Sequence, residues 1–296
     1  MFEIHVKDLM RRRQVMMDMA DVDRMIRGKT VAVTGAGGFI GSEIVRQVAG
    51  YGPRHVTLID NSEFNLYEID RRLDVPRIAA WADVRDSQRM QTLIRADVVF
   101  HAAAMKHVPL SESNPGEAIK TNIIGTMNVR DAARQNGVGT FVMISTDKAV
   151  SPSNMMGATK RVAELYCKDA CVVRFGNVLG SSGSVVPLFK EQIASGGPVT
   201  VTHQDMERYF MSVTEAVELV LKAAAHGQPG IYALDMGDSV RISDLASDMI
   251  MLSGKRGVPI EFTGLRPGEK LREEVFYGTE DFCETGVPGL RHARGV

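Results

Sequence analysis

Ser145, Thr146, Asp147 and Lys148 are consecutive and place two hydroxyls, a carboxyl and an amine in one short stretch. A carboxylic acid can protonate a departing hydroxyl, and an uncharged amine can take a proton from carbon. Side by side, these residue types suit paired acid–base work, and a structural Asp147–Lys148 ion pair is the plain alternative. Met156 and Lys160 follow in MMGATK, four residues apart. On a helix such positions share one face, about 6 Å apart along the axis. A second cluster, TGAGGFIG, puts glycines at 35, 38 and 41. A turn of this kind presents backbone N–H groups and a helix N-terminus to a pyrophosphate with no Cβ in the way. Asp60 stands 19 residues beyond Gly41. An acidic side chain there accepts bonds from ribose hydroxyls and repels a 2′-phosphate, which favours NAD over NADP. The triplet Gly28-Lys29-Thr30 invites a phosphate-loop reading, but that motif needs glycine where Asp23 stands. ATP is therefore disfavoured.

These residues need a scaffold, and the pattern around them supplies one. Short apolar, β-branched runs at 30–34, 55–60, 78–83, 97–103, 140–146 and 171–177 read as strands. Helical patterns at 39–49, 63–73, 115–135 and 155–168 lie between them. Apolar strands alternating with helices predict βαβ units and a doubly wound parallel sheet of the Rossmann kind, within the α/β class. The glycine turn then sits between the first strand and first helix, and the acid–base stretch ends the fifth strand. Strand carboxyl ends are where such sheets bind ligands. From Gly180 the rhythm changes, with a helix near 185–195 and short runs around Val199 and Ile260. A helix at 215–226 and a strand at 231–236 return to the main sheet. The expected division is an N-terminal arm at 1–28 and a dinucleotide-binding domain at 29–178, completed by about 213–236. Residues 179–296 then form mainly a smaller C-terminal substrate lobe.

Composition bounds the partners. The chain has 296 residues, 44% hydrophobic and 24% charged, with 35 Lys+Arg against 36 Asp+Glu. No basic excess exists to hold a phosphate backbone, so nucleic acid is not expected as a partner. No apolar run approaches the roughly 20 residues that span a bilayer, and no signal-peptide pattern opens the chain. Cys167, Cys171 and Cys283 fit a reducing, cytoplasmic compartment, and no nearby ligand completes a metal site. Arg11-Arg12-Arg13 lies in the arm, where Asp8, Asp18, Asp21 and Asp23 dilute the charge. An arm packed on the body or on a partner subunit is the simpler reading than a membrane-binding one. The methionine excess reads as core filling.

Longer strings then carry a resemblance: LIDNSEFNLYEIDRRL (58–73), FHAAAMKHVPLSE (100–112), ISTDKAVSPSNMMGATKR (144–161), RFGNVLGSSGSVVPLFKEQI (174–193), ERYFMSVTEAVELVL (207–221) and FTGLRPGEKLREE (262–274). From roughly Lys7 to Arg294 the chain resembles the extended short-chain dehydrogenase/reductases, and among them the UDP-N-acetylglucosamine 4,6-dehydratases of polysaccharide biosynthesis. The superfamily pattern is Ser/Thr followed by Tyr-x-x-x-Lys, and here Met156 occupies the tyrosine position. A thioether cannot take a proton. The same methionine occurs in larger members of the dehydratase family, so the departure reads as a subfamily trait.

The resemblance implies NAD-dependent conversion of a UDP-sugar to a 4-keto-6-deoxy product. C4 is oxidised, water is eliminated across C5 and C6, and hydride returns to C6. It assigns Asp147 as the acid for the C6 hydroxyl, Lys148 as the base for C5–H, and Lys160 to the nicotinamide ribose. Thr146 or Asp147 is expected to take the O4 proton. The implied cofactor contacts are Gly35, Gly38, Phe39, Ile40, Gly41, Asp60, Asn61, Asp83, Val84, Ala102, Ala103, Ala104 and Lys160. The implied substrate contacts are Lys106, Asn177, Lys190, Arg208, Arg266 and Glu269. His107 could touch ligand, and a satisfied packing histidine is the equal alternative there. A homo-oligomer paired through helices such as 115–135 and 155–168 is expected. Family members with this methionine are usually longer, with membrane helices and another domain upstream, and HVKDLMRRR resembles the linker that follows them. Competing readings are a nucleotide-sugar 4-epimerase or reductase, and a catalytically silent NAD-binding protein.

Overall fold

The computed structural model describes residues 17–293 apart from 182, 235, 276, 278, 279 and 281. Seven strands run parallel: β1 Thr30–Thr34, β2 His55–Asp60, β3 Arg77–Trp81, β4 Val98–His101, β5 Thr140–Ile144, β6 Cys171–Arg174 and β7 Gly230–Leu234. An antiparallel hairpin, β8 Phe282–Glu284 and β9 Leu290–Ala293, extends one edge through β9 on β7. The spatial order is β8-β9-β7-β6-β5-β4-β1-β2-β3. Chain direction along the sheet reverses at β1, which pairs with β2 on one side and β4 on the other, so Val33 is flanked by Leu58 and Phe100. That reversal opens a crevice at the strand carboxyl ends.

The inner strands are buried on both faces because helices cover both. Helices Ala20–Ile26, Phe39–Ala49 and Val213–His226 pack together on one side. Helices Ser87–Leu93, Gly125–Gln135 and Met155–Tyr166 pack on the other. Two apolar clusters result, one centred on Val33, Leu58, Phe100 and Val173, the other on Ile59, Val99, Phe141 and Met143. A third core is separate: Leu179, Val186, Phe189, Ile193, Val199, Val201, Leu245 and Met249 join helices Val185–Ala194 and Ile242–Leu252 into a small lobe. There Val199–Val201 pairs in parallel with Ile260–Phe262.

Several boundaries differ from the sequence reading. The strands expected at 97–103, 140–146 and 171–177 stop at His101, Ile144 and Arg174, and the residues beyond each become site loops. The helix expected at 115–135 is broken into Pro115–Ala118, a π-helical turn Ile119–Ile124, and Gly125–Gln135. The wider turn carries Asn122, whose side chain accepts from the Met105 N–H at 2.8 Å and donates to the Met105 carbonyl at 3.0 Å. A loop held this way offsets the loss of regular helix hydrogen bonding. The hairpin β8–β9 was not anticipated, because strands of three and four residues carry little periodic signal.

The segment 17–28 packs on the body. Lys222 Nζ donates to the Asp18 carbonyl at 2.8 Å and to Asp21 Oδ2 at 2.6 Å. The remainder of the expected arm, with Arg11, Arg12 and Arg13, lies outside the described residues. Among the described residues no helix is long and apolar enough to cross a membrane.

Candidate active site

The glycine turn is built for close approach. Gly35 has φ +65°, and a Cβ there would sit 2.8 Å from the Ala103 backbone. A Cβ on Gly37 would come within 2.6 Å of Asn65, and one on Gly41 would collide with the Gly35 carbonyl. Gly38 precedes helix Phe39–Ala49, whose first N–H groups therefore open onto the crevice. Asp60 ends β2 and stays nearly buried, with Oδ2 accepting from the Gly37 N–H at 2.9 Å and Oδ1 from the Ser62 N–H at 2.9 Å. The carboxylate fixes the turn's shape and leaves further lone pairs for a ligand. This cradle fits a dinucleotide pyrophosphate, since a Cβ at these glycines would collide with the neighbouring backbone and force apart the tight turn that brings the helix N-terminus to the crevice.

A cleft of about 460 Å³ runs from that turn across the ends of β4, β5 and β6. Of the expected cofactor residues, Gly35, Gly38, Phe39, Ile40, Gly41, Ala102, Ala104 and Lys160 line it, and so do the expected catalytic Thr146, Lys148 and Met156. Ala103 packs behind the turn against Gly35. Asn61, Asp83 and Val84 lie along the ends of β2 and β3. There Arg85 grips Asp83 and holds its carboxyl below the usual range, and Val84 is buried against Gly125.

The acid–base residues form one hydrogen-bonded cluster. Thr146 Oγ1 donates to Asp147 Oδ1 at 2.9 Å, and Lys148 Nζ donates to the same oxygen at 2.9 Å. Lys148 Nζ also donates to Asn177 Oδ1 at 3.1 Å. Asp147 is fully buried beneath its two neighbours, and its Oδ2 has no hydrogen-bond partner among the described residues. A Cβ on Gly176, a cleft residue, would stand 3.0 Å from that Oδ2 and 2.9 Å from the Met236 sulfur, so the bare glycine lets these three residues pack together.

Helix Met155–Tyr166 starts at Asn154, whose side chain accepts from the Gly157 N–H. The cap directs Met156 and Lys160 at the cleft from one helix face. Met156 is buried. Lys160 Nζ donates to the Ile144 carbonyl at 2.6 Å, and burial pushes its pKa down to about 8. Beside it His101 bridges Thr34 Oγ1 and Thr126 Oγ1, and burial pushes it to about 3. His101 is thus a neutral packing histidine. His107 is exposed on the cleft rim against Gly183, next to Lys106, whose amine is lowered by partial burial.

The expected substrate residues divide. Lys106 and Asn177 line the cleft. Lys190 is half-buried on helix Val185–Ala194, Arg266 is exposed, and the Glu269 carboxylate accepts from the Arg266 N–H. Arg208 is nearly buried and turned to backbone: its guanidinium donates to the carbonyls of Glu207, Lys270 and Leu271. Sequence reasoning missed Glu273, which is 7% exposed and stands 4.0 Å from Lys148 Nζ. Burial raises its pKa, and the charge of Asp147 adds to the rise. Its one signal was a place beside Glu274 in the REE string, which does not say which glutamate turns inward. It also missed Glu164, fully buried, which accepts from Ser145 Oγ and pairs with Arg174 at 2.7 Å.

Residues 31–294 match the family model described as polysaccharide biosynthesis protein. The capsular polysaccharide biosynthesis protein CapD of Staphylococcus aureus is 50% identical over 94% of this chain and 50% of its own length. The "Probable polysaccharide biosynthesis protein EpsC" of Bacillus subtilis is 48% identical over 99% of this chain and 52% of its own. The chain thus spans about half the length of both. A UDP-N-acetylglucosamine 4,6-dehydratase (inverting) of Campylobacter jejuni is 36% identical over 84% of this chain and 78% of its own. Among solved structures, Pen of Bacillus thuringiensis superposes with a TM-score of 0.84 at 35% identity, over 90% of this chain and 89% of that one. A Thermus thermophilus UDP-glucose 4-epimerase in complex with NAD gives 0.72 at 25% identity, over 83% and 90%. A family match over nearly the whole sheet and lobe, on a fold with this strand order and glycine turn, leaves one conclusion: the chain belongs to the polysaccharide biosynthesis protein family, within the extended short-chain dehydrogenase/reductases.

Proposed function

We propose that the chain is an NAD-dependent nucleotide-sugar 4,6-dehydratase, acting on UDP-N-acetylglucosamine to give a UDP-4-keto-6-deoxy sugar for polysaccharide synthesis. The observation that carries this reading is the Thr146–Asp147–Lys148 cluster at the cleft floor, with a methionine where a tyrosine base would stand. The glycine cradle, Asp60–Asn61, Asp83–Val84, Ala102–Ala104 and Lys160 hold NAD, which when bound supplies the hydride acceptor and donor. The identity to the Campylobacter jejuni dehydratase supports the reaction class.

The protons can then be followed through the chain's own groups. Thr146 Oγ1 faces the cleft and is bonded to Asp147, so the O4 proton passes through it to the carboxylate. Asp147 so protonated gives that proton to the departing C6 hydroxyl, which leaves as water. Lys148 takes the C5 proton in the same elimination and returns a proton to C5 as C6 is reduced. Met156 packs at the tyrosine position without proton work. Lys106, Asn177, Lys190, Arg266 and Glu269 hold the UDP-sugar, and Arg208 serves by fixing the 270–271 backbone.

Lys148→Ala tests the assignment: it removes the C5 base and leaves the glycine cradle untouched. Product formation should fall at least about 10²-fold while bound NAD stays at the wild-type level. Turnover at the wild-type rate would end the role given to Lys148. A 4-epimerase, the activity named for the Thermus thermophilus structure, is the second reading, and the methionine at 156 counts against it. Two copies of the chain are proposed to pair through helices Gly125–Gln135 and Met155–Tyr166 and the turn before them. Ile119, Ile124, Val162 and Leu165 there are each 40–46% exposed.

A further inference from the structure

Lys148 is held on two sides. Asp147 Oδ1 receives its amine at 2.9 Å from the turn after β5, and Glu273 Oε1 stands 4.0 Å away on the opposite chain segment. Glu273 belongs to no regular element and comes from the far end of the small lobe's sequence, yet it is 7% exposed. A carboxylate that deep is costly unless cations face it. The second cation is Arg208, whose Nη2 lies 3.8 Å from the same oxygen and donates to the Lys270 carbonyl, while Nη1 donates to the Leu271 carbonyl. Lys270 Nζ in turn donates to the Val150 carbonyl at 3.0 Å, which ties the same segment to the turn carrying Asp147 and Lys148. The stretch 270–273 is thus fastened at both ends, and what it delivers into the interior is one carboxylate aimed at the Lys148 amine.

We propose that Glu273 is a positioning residue for the elimination: it holds the Lys148 amine over the cleft between two carboxylates and couples that amine's charge to the small lobe. The inference rests on the dehydratase reading above. Once Asp147 holds the O4 proton and Lys148 is the uncharged base, the buried cluster balances as Glu273 against Arg208. Glu273 is the carboxylate beside Lys148 that keeps its charge throughout, because Asp147 carries the O4 proton until it passes it to the C6 hydroxyl in the elimination. Glu273 therefore favours proton arrival at Lys148, and its own proton affinity depends on whether Lys148 is charged. The charged and titratable groups facing this pair are Asp147 from the turn, Arg208 from strand Glu207–Arg208 and Lys270 from Glu273's own segment. Lys160, on the helix packed against the turn, directs its amine to Ile144 instead.

Two measurements test this on the full chain. In protein carrying ¹³C-labelled glutamate, the Glu273 carboxyl signal, assigned by its loss in Glu273→Gln, is followed against pH. Its midpoint should lie above the ordinary glutamate range and rise by about one further pH unit in Lys148→Met, the lower end for losing an opposite charge at this distance. A midpoint that does not move would overturn the coupling, whatever reaction the protein performs. In the dehydration assay Glu273→Gln should lower kcat about tenfold or more, with KM for the UDP-sugar and NAD content unchanged, and Glu273→Asp should recover part of the loss. Wild-type kcat in Glu273→Gln, or kcat and KM falling together with the melting temperature, would reduce Glu273 to a structural filler. A wild-type protein that makes no dehydrated product would refute the dehydratase reading alone, because the titration still decides the coupling.

Discussion

Asp147 shows how a side chain's chemistry is set by what surrounds it. One oxygen is shared by a hydroxyl and an amine, and the other is buried without a hydrogen-bond partner among the described residues. Sequence could identify an acid beside a base, but not that the acid lies beneath its neighbours and reaches the cleft through Thr146. Glu273 was unreadable for a related reason: its meaning comes from the lobe folding back across the strand ends, a contact more than a hundred residues long-range. His101 is the opposite case, a histidine at a strand end beside the cleft that its surroundings reduce to packing. Its folded pKa of about 3 lies below its ordinary 6.5, so the unfolded chain protonates first as pH falls. The stability contribution is complete above about pH 6.5 and is lost progressively toward pH 3. Between pH 7 and pH 5 the loss from this group is on the order of 2 kcal/mol. Urea unfolding of wild type and His101→Gln at both pH values should show a shallower pH dependence in the variant. Equal dependence would mean that His101 is not held neutral.

At the scale of elements, the glycine turn was readable because its requirement is local: strand, three spaced glycines, helix, then an acid ending the next strand. Gly37→Ala places a Cβ within 2.6 Å of Asn65, at the start of helix Glu63–Asp70, and so strains the turn without touching the acid–base cluster. NAD content should fall about tenfold or more, whereas Gly116→Ala, where a Cβ meets nothing within 4 Å, should bind normally. Equal NAD content in the two variants, read by cofactor fluorescence, would contradict the cradle. The π-helical turn Ile119–Ile124 was not readable, since the apolar spacing of 115–135 is that of an ordinary helix. What breaks it is Asn122, whose bonds to the Met105 backbone exist only once the β4 loop is in place.

For the molecule as a whole, alternation of strands and helices made the doubly wound sheet readable, because two-sided burial leaves continuous apolar runs. At the edges burial is partial: β3 was legible as a strand although it is largely exposed, and the β8–β9 hairpin was not. Pairing of two copies would cover the exposed Ile119, Ile124, Val162 and Leu165. Sedimentation should give twice the chain mass for wild type and a single chain mass for the double variant Ile124→Asp, Leu165→Asp, while a monomeric wild type would count against that interface. The dehydratase reading itself is tested most directly by proton NMR of the protein with UDP-N-acetylglucosamine and NAD in D₂O. A new C6 methyl signal with deuterium at C5 is the predicted result, since Lys148 exchanges its proton with solvent before returning one. A sugar changed only in configuration at C4, or left unchanged, would contradict it.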